Sequence, residues 1–134
     1  MAGEVAALHW AEPLPAGCPP HDAVRPQNEP YYRLVASIPP TERDFWSHKM
    51  LYPAKAFSAG ECLARSCSLL ASYESCLNMS KLTRFKNRSM KVVCITLPPD
   101  SGLVLKTGRD PEHYSWWRTV DFDPITTSVP ILEP

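Results

Sequence analysis

Apolar and polar positions change rhythm several times along this chain. Residues 31–37, YYRLVAS, are aromatic and aliphatic, and the IPP that follows ends the run sharply, which predicts a strand. In PTERDFWSHKM, Thr41 and Asp44 form a capping-box pattern that predicts a helix of about two turns from Glu42, with Pro53 as its limit. Residues 51–64 read as a loop, and ARSCSLLAS, residues 64–72, as a strand. SYESCLNMSKLTRF predicts a helix with Ser72 as cap and Glu74 in the first turn. Its apolar positions, Tyr73, Cys76, Leu77 and Leu82, repeat only imperfectly at helical spacing. Three more strands are expected at 91–97, 102–107 and 116–122. Pro98, Pro99 and the PDSG that follows punctuate the first turn, Gly108 and Pro111 the second. Short turns favour antiparallel pairing. The expected fold class is α+β, a small mostly antiparallel sheet with two short helices.

The first thirty residues break this rhythm. They hold six of the fifteen prolines, and Glu4, Glu12, Asp22 and Glu29 outnumber Arg25. Proline fixes φ and removes amide donors, so no long helix or central strand fits here. The expectation is a proline-rich irregular arm over 1–30 and one domain over 31–134. The arm is either a tether or a segment that docks, through Trp10, on a partner or on the domain itself.

Charge and cysteines narrow the classes. A formal net charge of zero gives no global field toward nucleic acid or membrane. No apolar run approaches the roughly 18 residues of a membrane span. No basic region followed by an apolar stretch marks a signal peptide. The five cysteines form an odd set without paired short spacings, read as a reducing, cytoplasmic setting.

Several constellations carry candidate chemistry. Residues 81–91 hold Lys81, Arg84, Lys86, Arg88 and Lys91 with no acid, which suits either phosphates or a solvated helix end. The cysteine and histidine spacings show no zinc pattern, so no metal is expected. Cys94 reads as an inert strand thiol, and Cys67, between Ser66 and Ser68, as the less buried one. Arg33, inside the first strand, is either an outward-facing residue or a fork for phosphate or carboxylate. His48 either caps carbonyls or serves a site. In HYSWW, neighbouring indoles on an extended chain point to opposite faces, so one of Trp116 and Trp117 faces a groove, a partner or a covering loop. His113 at the rim of that aromatic shelf suits a planar ring; Trp46 and Trp117 otherwise read as core.

YYRLVASIPPTERDFWSH, ARSCSLLASYESC and HYSWW resemble an uncharacterised group of small bacterial proteins over residues 31–118. A looser similarity is to the ADP-ribosyltransferase-like toxins, including the RES group. That resemblance implies NAD as cofactor. Arg33 matches the first-strand residue that grips it, Ser66 or Ser68 the second element, and His113 or Glu112 the last. It further implies that Tyr73 or Trp116 stacks nicotinamide, that His48 joins the cofactor-binding set, and that Glu112, His113 and Ser68 carry catalysis. A cognate antitoxin is the partner such a toxin implies. The chain departs from the RES pattern in lacking its glycine-rich segment, since Gly60 stands alone in 51–64, and in lacking an E-x-E pair.

Three readings stay open: an NAD-using transferase or glycohydrolase, a non-catalytic interaction module using the Trp116–Trp117 surface and the arm, and an RNA-acting toxin using 81–91 with His48 or His113.

Overall fold

The two longest strands pair along their full length. In a computed structural model, which describes residues 8–57, 60–82 and 89–131, β1 (Glu29–Val35) runs antiparallel to β3 (Lys91–Leu97). The register runs from Glu29↔Leu97 to Val35↔Lys91. Alternation sends Tyr31, Val35, Val93, Ile95 and Leu97 to one face, where they meet Phe45, Leu69, Val104 and Trp116. Leu34, Val92 and Leu70 face the other way, under Cys76 of α3 (Tyr73–Ser80). Ser72 caps α3 as expected, its hydroxyl accepting from the Ser75 amide at 3.1 Å.

The remaining strands are β2 (Cys67–Leu70), β4 (Gly102–Lys106), β5 (His113–Arg118) and β6 (Val129–Pro130). Together the described residues form a six-stranded antiparallel sheet in the order β4-β5-β2-β1-β3-β6. The fold is α+β. At Gly102 a side chain would strike the carbonyl of Trp117, which fixes glycine where β4 meets β5.

Three expectations change. The helix foreseen from Glu42 is a single 3-10 turn, Glu42–Phe45, followed by the one-turn α1 (His48–Leu51). Asp44 draws the chain back on itself, accepting from the Ala36 and Thr41 amides at 2.8 Å each. Ser47 is then taken by Glu12, which accepts from its amide and hydroxyl at 3.1 and 2.6 Å. The last long strand begins at His113 rather than Trp116, because Tyr114 and Ser115 pair on both sides, with β2 and β4. It ends at Arg118, after which Thr119 bridges to Trp10 and Asp123 caps α4 (Pro124–Thr127). Within the expected loop 51–64 stands a further turn of helix, α2 (Glu61–Ala64).

The arm is irregular but docked on its own domain. Val24 exchanges both backbone hydrogen bonds with Val104 at 2.9 and 2.8 Å and so covers part of the β4 edge. Ala11 donates to Arg118, and Val120 to His9. Glu12 is 6% exposed, and its carboxylate also meets Arg65 at 3.4 Å. Cys18 and Cys62 form a disulfide, so a chain read as keeping its thiols reduced carries one covalent tie between arm and domain. No helix among the described residues is long and apolar enough to cross a membrane.

Candidate functional site

Where the sheet is weakest, a groove opens. β1 and β2 share one registered pair, Tyr32↔Leu70, against seven between β1 and β3. Arg33 occupies the gap. Its Nη1 donates to the Ser68 carbonyl at 2.6 Å, and its Nε to the Asp44 carbonyl at 2.9 Å. The guanidinium lies 5.9 Å from the centre of the Phe45 ring. A side chain thus satisfies an oxygen that a backbone ladder would otherwise take. A second guanidinium acts on the same short turn: Arg118 donates to the Phe45 carbonyl at 3.2 Å and pairs with Glu42.

The groove has a volume of about 650 Å³. Arg33 and Ser68 line it from the sheet, His113 from β5, and His48 and Leu51 from α1. Arg43, Asp44 and Trp46 come from the turn before α1, and Tyr52 from the loop after it. Arg43 stacks on Trp46, 5.4 Å from its ring centre. Asp44 is a carboxylate on this wall, but both its oxygens already accept backbone amides.

Four of the residues singled out from the sequence therefore converge here: Arg33, His48, Ser68 and His113. Ser66 lines the groove as well, with its hydroxyl donated to Leu63. Four others do not. Trp116 is fully buried, donating from Nε1 to Ser101 at 3.1 Å and meeting Phe122 edge-on, so it stacks no ligand. Trp117 points to the opposite face, where it too is buried; its Nε1 donates to Cys62 at 2.9 Å, and α2 is the covering segment. Tyr73 packs with the cluster under α3, and Glu112 sits in the turn before β5, its carbonyl accepting from Ala71. Neither lines the groove.

Cys67 reverses its expected role. It is 2% exposed, its thiol donates to the Phe45 carbonyl, and burial pushes its pKa up against the opposing pull of Arg33 and Arg118. Cys94 is the half-buried one; burial raises its pKa too, and a hydrogen bond with Tyr32 opposes the rise. Thiolate chemistry has no support at either position.

Ser68 and His113 face each other across β2 and β5. Nε2 of His113 lies 3.0 Å from the Ser68 hydroxyl, while Nδ1 lies 3.1 Å from the Thr107 carbonyl. A carbonyl can only accept, so Nδ1 carries a proton, and in the neutral ring Nε2 accepts from the Ser68 hydroxyl. Thr107 Oγ1 lies 3.2 Å from the same Nδ1 and 2.7 Å from Ser115.

Sequence reasoning missed Arg43, Trp46, Tyr52 and Thr107 as parts of one site. The pairing of a cation with an indole in ERDFW was the available signal for the first two. Of the basic segment, Lys81 and Lys91 are exposed at the ends of α3 and β3, while Arg84, Lys86 and Arg88 lie outside the described residues. No family model, curated protein or solved structure matches this chain.

Proposed function

We propose that the groove between β1 and β2 binds a phosphorylated, ring-bearing ligand of the nucleotide class, with NAD as the first candidate. Its size falls in the range of small-molecule sites, about 300–1,000 Å³. The observation that carries this reading is the meeting of Arg33, Arg43, His48 and His113 with the ring surfaces of Trp46 and Tyr52 in one hollow. Guanidinium groups suit phosphate oxygens, and flat aromatic faces suit a base or nicotinamide. The aromatic surface comes from Trp46 and Tyr52 in place of Trp116.

An NAD-using transferase or glycohydrolase of the ADP-ribosyltransferase-like kind is the activity this binding would serve. Glu112 has no part in it, since it stands off the groove wall, and the Asp44 oxygens are already engaged by the Ala36 and Thr41 amides. Any stabilisation of a departing nicotinamide's sugar falls to His113 and the Ser68 hydroxyl.

Of the surfaces the interaction-module reading uses, both indoles are buried, while the arm lies against its own domain with residues such as Val24 still exposed. Thermal unfolding with NAD, ADP-ribose and nicotinamide tests the proposal. NAD and ADP-ribose should raise the midpoint by mass action, and Arg43→Ala should abolish the rise. No rise at any ligand concentration up to about a hundred times a micromolar dissociation constant rejects it.

A further inference from the structure

We propose that Ser68 is an acyl-accepting nucleophile with His113 as its general base, acting on small esters or thioesters that carry an anionic group. This goes beyond nucleotide binding and does not depend on it. Both groups are half-buried and open to the groove.

The hydroxyl is placed unlike its neighbours. Ser66, Ser80, Ser101 and Ser128 each donate to a carbonyl three or four residues back, which ties them into their own turns. Ser68 is held by an imidazole from another strand, 3.0 Å away. That imidazole is itself oriented, because the Thr107 carbonyl takes its Nδ1 proton. Nucleophile, base and orienting acceptor then stand in the sequence required to activate a hydroxyl. Strand pairing does not require the contact, since β2 and β5 already share four registered pairs. Arg33, bonded to the carbonyl of Ser68, supplies fixed positive charge beside the nucleophile, and Arg43 receives the anionic end of the substrate.

In the first step Ser68 Oγ bonds to the acyl carbon while its proton passes to His113 Nε2. The bond from that carbon to the leaving oxygen or sulfur breaks with its electron pair, and the leaving group takes the proton from Nε2. Water then repeats the exchange on the Ser68 ester, releasing the acid and restoring the hydroxyl.

The full chain is to be treated with a fluorophosphonate and, separately, with p-nitrophenyl acetate, and the adduct located by peptide mass mapping. Both reagents should mark Ser68, Ser68→Ala should lose the mark, and His113→Gln should slow it by about a hundredfold or more at unchanged far-UV circular dichroism. His113→Asn carries the same comparison if the glutamine variant loses its fold. An adduct that forms equally fast without the imidazole, one confined to other hydroxyls, or none from either reagent overturns the assignment.

Discussion

Arg33 reaches from β1 to the backbone oxygen of Ser68 on β2, 2.6 Å away, beside the single registered pair those strands share. One residue thereby closes the sheet and walls the groove. Removing it should cost stability as well as binding. Arg33→Ala leaves two carbonyl oxygens without their charged donor, at about 1.5–3 kcal/mol for each such bond. The loss should come to about 3–6 kcal/mol in urea denaturation, and Arg33→Lys should recover little of it, since an ammonium cannot span both acceptors as a planar fork does.

Trp46 and Trp116 should respond in opposite ways. Trp116 fills the core with no exposed surface, so Trp116→Ala should cost about 3–5 kcal/mol. Trp46 is half-buried on the groove wall, and Trp46→Ala should cost about 1–2 kcal/mol while removing nucleotide binding. Denaturation and ligand titration on the two variants check the contrast.

The strands over 91–97 and 102–107 and the helix capped by Ser72 were legible because each is a local pattern: alternation, a cap, a proline turn. The shift of the last strand was not, since its start depends on partners in β2 and β4. The arm's docking was equally invisible, because Glu12 finds Ser47 and Arg65, and Cys18 finds Cys62, far along the chain. Arg33, Ser68 and His113 could be named one by one from residue type. Their meeting depends on a sheet that parts between β1 and β2, and no local pattern encodes that.

Opening the Cys18–Cys62 bridge should loosen the arm. The bridge closes a separation of 44 residues, for which chain entropy assigns about 4 kcal/mol. The double variant Cys18→Ser, Cys62→Ser should lose about 2–4 kcal/mol of unfolding free energy, and a reducing agent should lower the wild-type midpoint to match.

Alkaline conditions should destabilise the fold. Burial pushes the Cys76 thiol up to about 12, from an ordinary value of 9.0. Burial, with Glu29 and Tyr114 nearby, pushes Tyr31 up to about 12, from 10.0. The folded chain holds these protons where the unfolded chain has released them, so the stability is complete below the unfolded values. It falls as pH rises through the window between 9.0 and about 12. Urea midpoints should be level near neutrality and decline above about pH 9, and Cys76→Ala should decline less steeply.

The groove itself is tested most directly by nitrogen–proton correlation spectra during titration with NAD, following the indole amide signals of the four tryptophans. Trp46 should shift progressively to saturation while Trp116 and Trp117 stay in place. Saturable movement of Trp116 or Trp117 with Trp46 unmoved, or no movement at all, would contradict a nucleotide site between β1 and β2.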